Sequence, residues 1–229
     1  MDFKGLQMYE GMEQLWELKS IMMKVNFKEI ESKFSSDEDG HCAIADDGMI
    51  ATQSAYATEI GKQMLKLNGN AVDAAVAAAL ALGVSEPQAS GIGGQSMILL
   101  GMGKHVISID GSSRAPSLAH ATAIYKDDRS IGYRATTVPS TLACMWYTHK
   151  TYGKLDWKKI IGPIIDLADE GYPITALQEK LQIREADNFE RVASRSGKRY
   201  FFKNGTPYKE GELFRQPELA NLYRNIYEY

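Results

Sequence analysis

Residues 68–83 read NGNAVDAAVAAALALG, and this stretch sets the architecture of the chain. Asn70 followed by Asp73 three positions later matches a capping box, in which the two side chains bond to backbone N–H groups of the first helical turn. The residues after Asp73 are small and apolar on almost all sides until Gly83 ends the run. The pattern therefore predicts a helix that is buried by close neighbours on most of its faces, so that Ala75→Leu or Ala78→Leu would overpack it.

Another helix is predicted directly upstream of this one. Ser54 is a suitable N-cap, and Ile60, Met64 and Leu67 follow at helical spacing. Asn68-Gly69 then supplies the left-handed residue that ends a helix. Two consecutive helices joined by a tight turn are the expected result.

Residues 1–40 are predicted to be a helical N-terminal appendage and linker. Apolar residues in the first part recur at roughly helical spacing, and a polar run occupies residues 35–40. We expect this helix to dock on the domain that follows, because its acidic polar face disfavours the alternative of a partner-binding or membrane-surface helix. Residues 41–229 then form one domain.

Downstream, a hairpin and further helices are predicted. Two short apolar runs, residues 97–100 and 106–109, are separated by a glycine-containing turn, as in a β-hairpin. Helix-start signals then recur, and Pro163 is expected to kink the second of the helices that they begin. These signals lie at Ser140, Asp156, Thr175 and Pro217. Helices beside an antiparallel sheet give an α+β class.

Composition excludes several functions. The 229 residues carry a formal net charge of −3, which does not favour nucleic acid or anionic lipid as a partner. The two cysteines, Cys42 and Cys144, are too few and too far apart for a disulfide scaffold or a cysteine-rich zinc module. The start of the chain lacks the uninterrupted apolar core of a secretory signal, and the longest apolar run is too short to cross a bilayer. We therefore expect a cytoplasmic protein with no membrane partner.

The glycine-rich segment 90–96 is not a nucleotide site by its pattern. It lacks the Gly-Lys-Ser/Thr ending of a Walker loop, and it follows a helix and precedes a strand, the reverse of a dinucleotide fingerprint. A tight structural turn or a loop lining a substrate site is expected, and replacing Gly93 or Gly94 by Val should damage the turn if either residue needs positive φ. The four histidines show no metal-binding spacing, so no metal site is predicted. Cys144 lies among apolar residues and is interpreted as a core residue.

The loop after the second strand is the most suggestive place for chemistry. Arg114 stands on a glycine- and serine-containing loop, where its guanidinium could hold a substrate carboxylate by two parallel hydrogen bonds. A salt bridge to Asp110 is an equally good interpretation from spacing alone.

Taken together, these segments resemble the large-subunit half of gamma-glutamyltranspeptidases. The resemblance covers about residues 47–226 and is specific as a set. Its first landmarks are Asp47-Gly48-Met49-Ile50-Ala51, residues 68–77, Glu86-Pro87, Ser90-Gly91-Ile92-Gly93-Gly94 and Arg114-Ala115-Pro116. Its later landmarks, in family order, are Thr137-Val138-Pro139, Tyr152-Gly153-Lys154-Leu155, Pro163, residues 167–173 and residues 215–220.

The resemblance implies a fold and a reaction. The fold is the αββα four-layer sandwich of N-terminal-nucleophile hydrolases, only part of which this chain would contain. A precursor cuts itself in two, and the Thr exposed on the small subunit attacks a gamma-glutamyl amide such as glutathione to give an acyl-enzyme. No cofactor is needed. The resemblance ends before the cleavage site, so no catalytic residue is assigned here, and the chain alone should be inactive without its missing C-terminal part or small subunit.

One departure concerns the substrate loop. The family's carboxylate-binding Arg usually lies four residues before Pro, but Ser112 occupies that position here and Arg114 lies two before Pro116. The loop is more similar to the branch that includes cephalosporin acylases. Arg114 and Ser113 are still predicted to bind substrate. The alternative function is a naturally short, non-catalytic homologue that acts as a binding or assembly module.

Overall fold

The computed structural model describes residue 45 and residues 47–120, 130–192 and 196–228. The helices are α1 (Ala55–Lys66), α2 (Ala71–Ser85), a short 3-10 turn (Tyr133–Ala135), α3 (Thr141–Tyr152), α4 (Trp157–Glu170), α5 (Ala176–Arg191), α6 (Ser196–Phe201) and α7 (Pro217–Glu228). The strands are β1 (Ser96–Met102), β2 (His105–Gly111), β3 (Tyr172–Pro173), β4 (Phe202–Lys203), β5 (Thr206–Pro207) and β6 (Leu213–Phe214). The mixed α and β composition agrees with the prediction, whereas the predicted appendage and linker, residues 1–40, and Cys42 lie outside the described residues.

Helix α2 is the centre of the core. The predicted capping box is present: Asn70 Oδ1 accepts from the backbone N–H groups of Val72 and Asp73, and Asp73 Oδ2 accepts from Asn70 N at 2.8 Å. Ala78 is 2% exposed, as predicted. Ala75, however, is exposed, so the prediction that it has no room for a larger side chain is wrong. One side of the helix lacks a neighbour among the described residues.

Helix α1 packs closely along α2. A Cβ atom built at Gly61 would lie 3.2 Å from Ala78 Cβ and 3.0 Å from Ala74 O, so only glycine permits this approach of the two backbones. Asn68 has φ 65° and makes the left-handed turn between the helices, as predicted. Small residues on both helices thus replace the larger side chains that usually separate two helices.

Strands β1 and β2 form an antiparallel hairpin with two different faces. Ile98 pairs with Ile109, and the latter is buried against the helices. The opposite face carries Met97, Leu99 and Val106, which are 73%, 73% and 72% exposed. Because side chains alternate along a strand, the apolar runs of both strands supply two apolar faces, and only one of them is covered by the described residues.

The last helix packs against α4 and α2. Its start at Pro217 is as predicted, and the buried Tyr223 hydroxyl donates to Leu80 O at 3.3 Å. Just before it, the Gln216 side chain donates to Val84 O at 2.7 Å. Helix α4 is capped by Asp156 and continues through Pro163. These contacts join the C-terminal part of the described chain to the central helix.

Helix α5 begins at the predicted start signal Thr175, which forms a second capping box with Gln178. Gln178 is 3% exposed, and its amide donates to Ser85 O at 2.8 Å, which ties α5 to the end of α2. Within the described part of the chain, no helix is both long and apolar enough to cross a membrane.

Candidate functional site

The open end of the hairpin brings two loops together. Ser96 at the start of β1 pairs with Gly111 at the end of β2. The glycine-rich segment, which precedes β1, and the Arg114 loop, which follows β2, therefore lie at the same edge of the sheet. The N-terminus of α3 also lies here, because Ser140 Oγ donates to Gly111 O and Ser140 N donates to Gly94 O.

The glycine-rich segment is a structural turn at this edge. Gly94 O accepts from the backbone N–H groups of Ser140 and Thr141, at 3.0 Å and 3.3 Å, so a carbonyl oxygen occupies the N-terminus of α3 where an anion would otherwise bind. Neither Gly93 nor Gly94 has positive φ, and a Cβ at Gly93 would meet no atom within 4 Å. The condition under which a Val substitution at Gly93 or Gly94 was predicted to damage the turn, a positive φ, is therefore not met. Glycine matters instead at Gly83, where a Cβ would lie 3.3 Å from Gly91 Cα.

The Arg114 loop begins with a short turn stabilised by Asp110. Asp110 Oδ1 accepts from the backbone N–H of Ser112 at 2.9 Å and from its hydroxyl at 2.5 Å. These hydrogen bonds hold the pKa of the exposed Asp110 carboxyl below its usual value. Asp110 thus fixes the first residue of the loop.

Ser113 is held by a different element. Its backbone N–H and its hydroxyl lie 3.2 Å and 3.3 Å from Gln95 Oε1, on the glycine-rich segment. Ser113, predicted to bind substrate, is therefore already engaged in shaping the loop. The sequence analysis included Gln95 only as part of the glycine-rich segment 90–96 and gave it no role, because its partner lies 18 positions away.

Arg114 has a fixed backbone and an exposed side chain. Its N–H donates to Val138 O at 3.2 Å, and its carbonyl accepts from Val138 N at 2.8 Å. Among the described residues, no side chain pairs with the guanidinium. The salt bridge to Asp110 is not seen, because Asp110 bonds to Ser112 instead. An exposed arginine on an anchored loop is a suitable receptor for an anion.

A second cluster of chemically active groups surrounds Asp73. This carboxylate is fully buried and accepts from Lys154 N at 3.0 Å, Leu155 N at 3.2 Å and Asn70 N. His149 Nε2 lies 3.2 Å from Asp73 Oδ1, but its N–H is not aligned for a good hydrogen bond. Burial acts to raise the pKa of Asp73, but His149 and the backbone N–H groups outweigh it and lower the pKa. We interpret this cluster as structural, because both carboxylate oxygens of Asp73 already accept from backbone N–H groups.

Three other features were considered as functional sites: Cys144, possible metal ligands and a cavity beside α5. Cys144 is 1% exposed, which confirms that it is a core residue. Within the described ranges, no three His, Cys, Asp or Glu side chains are grouped to hold a metal ion. A cavity of about 260 Å³ lies beside α5, where Tyr172, Gln178 and Phe189 are among its lining residues, and Ser113 and Arg114 are not. The loops at the hairpin edge therefore remain the best candidate site.

The chain is similar in sequence to a known protein family and to several known proteins. The gamma-glutamyltranspeptidase family model matches residues 57–229. The chain is 35% identical over 192 residues to a glutathione hydrolase proenzyme of Pseudomonas aeruginosa, covering 80% of this chain and 33% of the relative. It is 36% identical over 203 residues to a glutathione hydrolase proenzyme of Bacillus subtilis, covering 84% and 34%. The chain thus spans about a third of the length of these relatives.

Solved structures agree with the sequence relatives. The crystal structure of Helicobacter pylori gamma-glutamyltranspeptidase superposes with a TM-score of 0.77 at 32% identity, over 82% of this chain and 56% of that one. A cephalosporin acylase from Bacillus halodurans superposes with a TM-score of 0.69 at 30% identity, over 75% of this chain and 34% of that one. Both folds share the arrangement of most of the described residues.

Proposed function

This chain belongs to the gamma-glutamyltranspeptidase family, and from that membership we propose that it is the N-terminal portion of a gamma-glutamyltransferase-like amidase. Its substrates are gamma-glutamyl or related acyl amides of the glutathione type. The nucleophilic Thr lies outside this chain, in the part of the family that the chain does not match. The proenzyme names of the two bacterial relatives support hydrolysis of glutathione and processing of a precursor.

We propose that a second polypeptide segment covers the hairpin. The outer face carries Met97, Leu99 and Val106, each nearly three-quarters exposed. Soluble proteins rarely leave such apolar faces uncovered. A second sheet, supplied by the C-terminal part or small subunit, would complete the αββα four-layer sandwich and bring the catalytic Thr to the hairpin edge.

The observation that carries the functional proposal is the exposed guanidinium of Arg114, which pairs with no side chain among the described residues and stands on a backbone anchored to Val138. A guanidinium binds a carboxylate through two parallel N–H···O bonds, which fix both the position and the direction of the substrate. A glutamyl donor carries such a carboxylate close to its amide bond. Arg114 would therefore orient the acyl group while Ser113, bonded to Gln95, maintains the loop.

In the proposed reaction the Thr hydroxyl attacks the amide carbonyl and its proton passes to the departing amine. The C–N bond breaks and an ester forms on the Thr oxygen. Water, or the amine of an amino acid, then attacks this ester and restores the hydroxyl. The role of this chain is to bind and orient the acyl donor through Arg114.

The test measures release of 4-nitroaniline from gamma-glutamyl-4-nitroanilide by the complete enzyme and by the 229-residue chain alone. We expect turnover only by the complete enzyme. Arg114→Ala should raise KM about 10- to 100-fold, because a hydrogen-bonded charge contributes about 1.5–3 kcal/mol. Arg114→Lys should retain the charge but lose the bidentate geometry, so its KM should lie in between.

The matched control is Arg184→Ala, which removes an exposed arginine that pairs with Glu185 on α5. It should leave KM unchanged. Unchanged kinetics in both Arg114 variants would show that the arginine does not bind substrate. Turnover by the chain alone would contradict the position of the nucleophile.

The hairpin face that the described residues leave exposed also suits the second candidate function, a non-catalytic module that binds another chain. The intact masses of the native polypeptides, together with the reading frame beyond Tyr229, distinguish the two. A second polypeptide beginning with Thr favours the amidase. A single 229-residue product without turnover favours the binding module.

A further inference from the structure

Gln95 joins the glycine-rich segment to the loop that carries Arg114. Its side-chain amide faces two groups of Ser113, the backbone N–H at 3.2 Å and the hydroxyl at 3.3 Å. A backbone N–H can only donate, so the atom facing it must be the amide oxygen. The orientation of the amide is therefore determined by its partner.

Resting on the proposed function, we infer that Gln95 is a positioning residue that sets the direction of the Arg114 side chain and thereby the preference for carboxylate-bearing substrates. The argument begins with the anchors on either side of Ser113. Ser112 is tied to Asp110, and Arg114 is bonded to Val138. Ser113 stands between these two anchors, and Gln95 supplies its hydrogen bonds. Without the hydrogen bonds to Gln95, rotation of the backbone at Ser113 would strain the pair of hydrogen bonds to Val138 that sets the direction of the Arg114 Cα–Cβ bond.

The charge of Asp110 gives this positioning a specific consequence. Asp110 lies four residues before Arg114, and an exposed aspartate is ionised at neutral pH; its hydrogen bonds to Ser112 lower its pKa further. An arginine released from its position would find this carboxylate as a competing partner. By holding Ser113, Gln95 keeps the guanidinium available for substrate.

Kinetics of the complete enzyme provide the first test. Gln95→Ala should raise KM for gamma-glutamyl-4-nitroanilide about three- to tenfold, which corresponds to the net free energy of one hydrogen bond. The change in kcat should be less than about twofold. Adding Asp110→Asn to Gln95→Ala should recover part of this loss, because Asn still accepts from Ser112 but no longer competes for Arg114. A fall in kcat without a rise in KM would overturn the inference.

A second variant separates positioning from simple structural support. Gln95→Glu keeps an acceptor oxygen for Ser113 but places a negative charge beside the site. KM should rise for the carboxylate substrate and remain unchanged for the analogue whose alpha-carboxylate is a carboxamide. Equal effects on both substrates would contradict a role in carboxylate recognition.

The matched control is Gln182→Ala. Gln182 uses the same chemistry, since its side-chain oxygen accepts from Tyr208 N at 2.9 Å, but it lies on α5 and its partner is in another loop. Its removal should leave KM and kcat unchanged. A rise in KM equal to that of Gln95→Ala would show that the effect is general destabilisation.

A measurement without turnover keeps this inference separable from the proposed function. In the 229-residue chain, ¹⁵N relaxation should give lower order parameters for the Ser113 and Arg114 amides in Gln95→Ala than in the unaltered chain or in Gln182→Ala. If the unaltered complete enzyme does not cleave gamma-glutamyl amides, the proposed function fails and relaxation alone judges Gln95. Unchanged order parameters in Gln95→Ala would overturn the inference that Gln95 holds Ser113 and Arg114 in place.

Discussion

Replacing Asp73 by alanine removes the acceptor that joins the start of α2 to the connection between α3 and α4. Three backbone N–H groups, those of Asn70, Lys154 and Leu155, lose their partner at once. A buried donor left without an acceptor costs about 1–3 kcal/mol. Because these amides lie in partly exposed residues, water can reach them after the change, and we expect the low end of that range for each, a total of about 3 kcal/mol.

The assay is urea unfolding followed by circular dichroism, with Asp156→Ala as the matched control. Asp156 is likewise an aspartate at a helix N-terminus, the N-cap of α4, but it is exposed, and among the described residues its side chain accepts from Lys158 N alone, at 2.8 Å. Its removal should cost about 1 kcal/mol, the usual value for a cap. If Asp73→Ala costs no more than Asp156→Ala, the reasoning that Asp73 joins distant segments is refuted.

The same carboxylate should make stability depend on pH in the acid range. The pKa of Asp73 is lower in the folded chain than the unfolded value of about 3.9. The stabilisation is therefore complete above that unfolded value and is lost as the pH falls through the lower folded pKa. Asp73→Asn should flatten the decline in unfolding free energy below about pH 4. If the unfolding free energy of Asp73→Asn declined below about pH 4 as steeply as that of the unaltered chain, the conclusion that Asp73 is ionised in the folded chain would be contradicted.

Three further substitutions test the packing. Ala78→Leu should destabilise the chain by about 1–3 kcal/mol, whereas the exposed Ala75→Leu should have little effect in the chain alone, as measured by urea unfolding. Gly111→Ala should lower Tm, because its Cβ would lie 2.6 Å from Cys144 Sγ and 2.7 Å from a backbone oxygen; a normal Tm would show that the hairpin can shift away from α3. Gly93→Ala should be tolerated, since no atom lies within 4 Å of the new Cβ, and a clear loss of Tm would contradict the described turn.

The candidate site was only partly predictable. Residues 111–114 are close in sequence, and their pattern alone favoured a substrate carboxylate and a salt bridge to Asp110 equally as partners of Arg114. The structure shows that Asp110 bonds to Ser112 instead, whereas carboxylate binding by Arg114 stays a prediction. Gln95 was missed because its role depends on the register that places Ser96 opposite Gly111.

By itself, the sequence determined the local elements and the family. Both capping boxes, the turn at Asn68 and the hairpin depend on residues a few positions apart, so their chemistry is visible in the order of residues. Only the tertiary structure decided which side of α2 is covered and which backbone groups meet Asp73. Its partners Lys154 and Leu155 lie 81 and 82 positions away. Contacts at such separations depend on how whole helices pack, and no local pattern specifies that packing.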